Sequence, residues 1–279
     1  MTRLRSVMLW SMLICFLTGC SVANFGDNFS RTLLNQNDPE LVQAGAPAYL
    51  LLVDSLIAGD PDDADWLQTG AKLYTLYSAV LVADHVRAQK LSTRAFDYGK
   101  RALCAENSDG CGLVEQPYAA FKNSLEDFDA DEVAALYAFT TSWLVWAQMH
   151  SDDWNAVAAV PKLELTLQRI INLDESYDNG RAWLYLGMLY SLRPPSLGGK
   201  PDQARQCFER ALLLTQGLDL SVKVAYARYY ARLIYDRELH DRLLYEVRNA
   251  EPQVEGLTLM NTLAQAEAEQ LLKSGVDYF

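Results

Sequence analysis

Apolar residues recur along this chain at steps of three and four, and no useful stretch alternates with the period of two that a strand requires. The pattern predicts an all-α protein made of paired amphipathic helices. It opens with Pro47–Ile57, almost solidly apolar, where Pro47 suits a first helical position and Gly59-Asp60-Pro61 a stop. A helix apolar all round is expected to be buried on several sides. A long helical pattern follows from Asp62 to about Lys90, with Leu73, Leu76, Tyr77, Val80 and Leu81 on its stripe, and a partner spans Ser92–Leu103. The next helix begins near Asp131, where Asp129 and Glu132 have capping-box spacing. It carries Leu136, Phe139, Trp143 and Trp146 along one face, and its partner runs from Asp153 to Leu173. Two more pairs cover Arg181–Thr215 and about Leu218–Pro252, the latter with Ala225, Tyr226, Tyr229 and Tyr230 facing Leu239, Leu243, Leu244 and Val247. A helix over Leu257–Leu272 is expected to close the array, whose end needs a more polar outer face.

The pair in Arg181–Thr215 has the sharpest signature. Trp183, Leu186, Gly187 and Tyr190 stand at W-x2-L-G-x2-Y, and Ala204, Phe208 and Ala211 at A-x3-F-x2-A. This resembles the two helices of a tetratricopeptide (TPR) unit, in which small residues let antiparallel helices approach and aromatic ones fill the gaps. Ala95, Gly99 and Ala102 repeat the second half in degenerate form. The expected architecture is therefore a stack of TPR-like antiparallel helix pairs, either an α-solenoid or an array closed on itself. One departure stands out. Tyr190 and Ala204 are 14 residues apart, about five more than the ordinary repeat, and the surplus is an elbow containing Pro194, Pro195, Gly198 and Gly199.

Composition changes this picture at the ends and on the surface. The chain has 279 residues, half of them hydrophobic, which is enough for a large core. Its formal charge of −12, without a basic cluster, argues against nucleic acid as a partner and fits solubility. Arg3 and Arg5 precede an apolar run over Val7–Leu17 that is too short to span a bilayer, which takes about 20 residues. The run ends in Leu17-Thr18-Gly19-Cys20, similar to a bacterial lipobox; an ordinary signal peptide, or a buried N-terminal helix, with a chance cysteine is the alternative. Residues 1–19 are thus expected to be a lipoprotein signal peptide and Cys20 the lipidated residue. Residues 20–38 form a tether, and 39–279 a single helical domain. Several acyl chains on Cys20 would anchor the protein to a membrane stably. With Ser21 and not Asp after the cysteine, resemblance to sorted lipoproteins favours the periplasmic face of the outer membrane. Cys104 and Cys111 bracket the polar turn Ala105–Gly110 and could close a disulfide in that oxidising compartment or remain separate thiols. Cys207 reads as a small buried residue.

No stretch of the sequence completes a catalytic or metal-binding motif. Gly199-Lys200 lacks the Ser/Thr of a P-loop, since Pro201 follows, and Pro194 stands where that loop needs Gly. Glu126–Glu132 looks like a calcium loop but has Glu132 at the sharp-turn Gly and Ala138 at the bidentate Glu. His85, His150 and His240 lie far apart in no catalytic spacing. No enzyme, metal or cofactor is expected. The aromatic and basic pairs Tyr74 with Tyr77, Trp143 with Trp146, Tyr226 with Tyr230 and Arg228 with Arg232 admit two readings. They could line an amphipathic ligand channel, rings for apolar contact and guanidinium for an acid group. Or the rings are core and the arginines pair with local carboxylates.

The lipobox, the segment Asp38–Asp54, the Pro194–Gly199 elbow before Ala204-x3-Phe208, the stretch Asn261–Ala268 and the final Asp277-Tyr-Phe279 together resemble the T-component (TatT-type) lipoproteins of TRAP transporters. The resemblance covers nearly all of the chain beyond the signal. It implies a TPR-like periplasmic lipoprotein, a homotrimer, a channel for a small hydrophobic or amphipathic ligand, and docking with the TRAP-type periplasmic solute-binding (P) protein. The rival expectation is an outer-membrane TPR lipoprotein that acts purely as a protein scaffold in an assembly machine. A continuous apolar channel would favour the first, a filled core the second.

Overall fold

The computed structural model describes residues 31–279; the signal peptide expected over 1–19 and Cys20 lie outside the described residues. The end of the stretch read as a tether is packed onto the fold. Leu33 is buried, and the Asn35 side-chain oxygen accepts from the backbone N–H of Gly256 at 2.7 Å.

All regular structure among the described residues is helical, as the periodicity requires. The first long helix, α1, covers Pro39–Gly59, with the Asp38 carboxylate accepting from Leu41 N at 3.0 Å and Pro39 in the first turn. Pro47 therefore lies inside the helix rather than at its start. Proline has no N–H to give the carbonyl four residues back, and the freed Gln43 carbonyl faces the Tyr77 hydroxyl at 3.5 Å. A second expectation also changes here. Val42, Ala46, Leu50, Val53 and Ile57 are buried, but Leu41, Leu51 and Leu52 face outward, so among the described residues α1 is covered on one side only. No later helix returns to its outer face.

Helix α2 (Ala64–Leu76) runs into a π-helical turn, Tyr77–Leu81. The chain then bends, and the Asp84 carboxylate accepts from Arg87 N at 2.7 Å to start α3 (His85–Glu106). The single helix expected over Asp62–Lys90 is thus two, because Asp84 satisfies the free N–H groups of a new helix start. After short 3-10 turns come α4 (Tyr118–Leu125), which periodicity did not indicate, and the pair α5 (Val133–Met149) and α6 (Trp154–Leu173). The capping box expected before α5 forms only in part. Glu132 accepts from Asp129 N at 2.7 Å, while Asp129 turns to Asp131 N at 3.0 Å. Next are α7 (Arg181–Tyr190) and α8 (Pro201–Leu214), and then α9 (Leu220–Ala225), which continues as a second π-helical turn, Tyr226–Ala231. The last two helices are α10 (Arg237–Asn249) and α11 (Thr258–Tyr278).

Successive helices pack as hairpins: α2 on α3, α5 on α6, α7 on α8 and α10 on α11. In the α7–α8 pair the Phe208 ring lies 3.2 Å from where Gly187 would carry a Cβ, and Ala204 and Ala211 are buried. One apolar cluster runs from Phe96 through α5–α8 to Leu271; a second joins α1, α2 and α3. The second also takes in Leu259 and Leu263 of α11, so the last helix returns to the first and the array closes on itself. Within that junction the Asp54 carboxylate accepts from Tyr74 OH (2.8 Å), Tyr98 OH (2.7 Å) and Arg94 (2.6 Å), tying α1 to both partners. Burial, with Asp54 beside it, pushes the Tyr98 phenol well up; burial raises Tyr74 also.

Candidate functional site

Closing the array leaves a cavity of about 440 Å³ between its middle helices. Helices α2, α5, α6 and α7 and the second π-helical turn meet there. Helix α5 contributes Thr141, Leu144, Val145, Ala147 and Gln148; α6 contributes Ala156, Val157, Val160 and Leu163; α7 contributes Tyr185, Met188 and Leu189. Leu192 and Arg193 follow just past the end of α7, Ser151 lies in the α5–α6 turn, Thr75 lies in the last turn of α2, two residues before the first π turn, and Tyr229 lies within the second π turn. A π turn widens the helix by one residue and shifts which side chain faces inward, and such turns concentrate at functional sites. The walls are mostly aliphatic, in the size range of small-molecule sites. The buried Thr75 hydroxyl has no hydrogen-bond partner. A buried hydroxyl left unpaired costs about 1–3 kcal/mol, which a bound ligand or water at this position would remove.

Behind Tyr185 the wall is backed by buried charge. Asp178, Asn179 and Gly180 all adopt left-handed backbone (φ 48°, 58° and 74°) and swing the chain into α7. This places Asp178 to accept a short hydrogen bond from the Tyr137 hydroxyl. The Arg181 guanidinium lies 3.0 Å from Asp219 Oδ2, at ion-pair distance though outside hydrogen-bond alignment. Burial works against the charge on Arg181, but Asp219 and Asp178 outweigh it and hold that charge firmly on. Burial raises the phenols of Tyr137, Tyr185 and Tyr229, which stay neutral donors at the pH of any cell compartment. No Asp or Glu side chain lines the cavity.

None of the eight side chains proposed from sequence for a ligand channel lines this cavity. Tyr74 is held by Asp54, and Tyr77 is buried beside α1. Trp143 stacks on Phe96 with ring centroids 5.6 Å apart, and Trp146 packs tilted against the same ring at 5.5 Å. Tyr226 stacks on Phe208 at 4.9 Å and packs against Tyr230 at 5.2 Å. Arg228 pairs with Glu267 at 2.6 Å, and Arg232 donates to Ser274 and to the Leu271 carbonyl. The cavity-lining residues Thr75, Leu144, Ala147 and Tyr229 each neighbour one of those eight in sequence. Aromatics on the dominant apolar stripe fill the core, while the cavity lies about 100° round each helix, one residue on. A signal did exist, in the hydroxyls of Thr75 and Thr141 beside those stripes.

The structure joins Cys104, near the end of α3, to Cys111, with Cα atoms 4.4 Å apart, and Cys207 is buried and free. In the elbow, Pro195–Leu197 form a 3-10 turn, Gly198 is left-handed (φ 83°), and Gly199 passes so close to the Arg193 carbonyl that an added Cβ would stand 1.7 Å from it. Lys200 N then donates to the Tyr190 carbonyl at 3.1 Å, so the elbow folds back on the end of α7.

The family model of the TRAP transporter T-component matches residues 35–279. An uncharacterized protein of Treponema pallidum (strain Nichols) is 23% identical over 275 residues, covering 90% of this chain and 84% of its own.

Proposed function

From the premise that the chain belongs to the TRAP transporter T-component family, we propose that it is a lipid-anchored periplasmic protein that holds a small hydrophobic or amphipathic ligand in the α5–α7 cavity and exchanges it with a TRAP-type solute-binding protein. The family is transport-associated and is not an enzyme family. What carries the ligand reading is the cavity, whose walls are aliphatic and whose volume of about 440 Å³ is not filled by side chains. A filled core would have favoured the scaffold alternative. Mass spectrometry of a native extract of the purified protein tests it. A co-purifying small molecule is expected, and it should be lost from Val157→Trp, which adds bulk at a half-exposed wall position. Retention of the same molecule by that variant would move the site elsewhere.

Docking with the solute-binding protein rests on family membership, and co-elution with a TRAP-type solute-binding protein of the same organism is its check; failure to co-elute would remove docking from the proposal. The homotrimer of the resemblance finds a candidate contact in the outer face of α1. Leu41, Leu51 and Leu52 are exposed there, and no Asp, Glu, Lys or Arg occurs between Glu40 and Asp54. Two copies of a chain of net charge −12 approach most easily through such an uncharged strip. Lying on anionic lipid is disfavoured, because no Lys or Arg occurs between Arg31 and Lys72 to draw α1 to it. Leu51→Glu should dissociate the oligomer in analytical ultracentrifugation. The lipid anchor is probed by Cys20→Ser, which should move the protein from the membrane to the soluble periplasmic fraction.

A further inference from the structure

The elbow and the cavity are one construction. The chain leaves α7 at Tyr190, lays Leu192 and Arg193 along the cavity, and only then turns away at Pro194. Gly199 packs against the Arg193 carbonyl, and Lys200 N bonds back to Tyr190, so the loop closes round Arg193 and fixes where it stands. Leu192 and Arg193 are both exposed as well as cavity-lining, which puts them at the mouth. The other exposed wall residues, Gln148, Ser151 and Val157, carry no charge.

Arg193 forms no ion pair and no side-chain hydrogen bond among the described residues, whereas Arg94, Arg181, Arg210, Arg228 and Arg237 are each paired with a carboxylate. The cation behind the wall, Arg181, is neutralised by Asp178 and Asp219. The cavity thus offers an aliphatic interior, an unpaired buried hydroxyl at Thr75, one uncompensated guanidinium at its mouth and no carboxylate in its walls. We propose that Arg193 reads a single anionic head group, and that the ligand class is a monoanionic amphiphile. Its apolar chain lies among Leu144, Val160, Leu163 and Leu189, and its head group pairs with Arg193 beside Ser151. The planar fork of a guanidinium binds a carboxylate through two parallel N–H donors, and the low-dielectric wall on one side screens that pair less than open solvent would. The elbow that interrupts the helix pair is then the portal that holds the reader.

This proposal rests on the cavity being the ligand site, and the test separates the two. Calorimetric titration uses the full chain carrying Cys20→Ser, so that no acyl chain of its own competes, stripped of bound lipid. The probes are dodecanoate and its uncharged counterpart dodecanol. Dodecanoate should bind at least ~10-fold tighter, and added salt should narrow the difference. Arg193→Gln should abolish the preference while leaving dodecanol affinity and the melting temperature unchanged; Arg193→Lys should keep part of it. Equal binding of the two probes by the parent protein, or a preference that survives in Arg193→Gln, overturns Arg193 as the reader while leaving the cavity as a site. Failure of both probes to bind overturns the cavity reading together with it.

Discussion

Replacing Gly198 and Gly199 by alanine, one at a time, separates the two reasons a glycine can be needed and measures how tightly the elbow is built. Gly198 has φ 83° but nothing within 4 Å of an added Cβ, so alanine there meets only left-handed strain, about 1–2 kcal/mol. Gly199 is different. Its added Cβ would stand 1.7 Å from the Arg193 carbonyl oxygen, half the 3.4 Å at which ordinary contact begins, and the obstacle is backbone that no side-chain rotation can move. The loop must open, which breaks the Gly199 N to Pro194 O and Lys200 N to Tyr190 O bonds, both 3.1 Å. Two backbone hydrogen bonds at about 1 kcal/mol each, plus the displaced packing, put the cost at roughly 2–4 kcal/mol. Urea unfolding followed by circular dichroism gives the two stabilities, and calorimetric titration with dodecanoate gives the consequence at the mouth. Gly198→Ala should keep near-parental affinity; Gly199→Ala should lose about tenfold, because Arg193 moves with the loop. If Gly199→Ala is no less stable than Gly198→Ala and binds as well, the elbow is a spacer and does not position Arg193.

The remaining predictions concern the frame. Asp54→Ala strands two phenols that each donate to a carboxylate between α1, α2 and α3, and should cost about 3 kcal/mol in urea unfolding; a loss under ~0.5 kcal/mol would mean that apolar packing alone holds α1. Cys104→Ser opens the eight-residue loop to Cys111 and should cost about 2 kcal/mol by loop entropy, visible as reductant-sensitive melting of the parent protein and reductant-insensitive melting of the variant. Stability should also fall at alkaline pH. The Tyr74, Tyr98, Tyr137 and Tyr185 phenols are all raised above 10 in the fold, chiefly by burial. Their contribution is therefore complete below pH ~10, where the unfolded chain also keeps its protons, and declines as pH climbs past it. Ultraviolet titration of the phenolates should show these four ionising late and together with unfolding; normal titration with the fold intact would contradict their burial.

Much of the architecture is local and was legible in the chain. Helical periodicity, the Trp183–Tyr190 and Ala204–Ala211 spacings and the Pro-Pro/Gly-Gly elbow each arise from contacts within a turn or between adjacent helices, so they leave a mark at fixed offsets. Caps are equally local, yet Asp84 sits inside what reads as one long stripe, and Pro47 reads as a start although a tyrosine hydroxyl from the turn after α2 faces the Gln43 carbonyl that it leaves free. Three features are set by distant parts of the chain meeting, and so carry no fixed spacing. The return of Leu259 and Leu263 to α1 closes the array; the cavity is the space left when five segments from Thr75 to Tyr229 converge; and Arg193 lacks a carboxylate because none is brought near it. Sequence periodicity ranks the faces of a helix by how apolar they are, and the most apolar face goes to the core. Which of the next faces lines an opening depends on where the neighbouring helices stop, and only the packed molecule decides that.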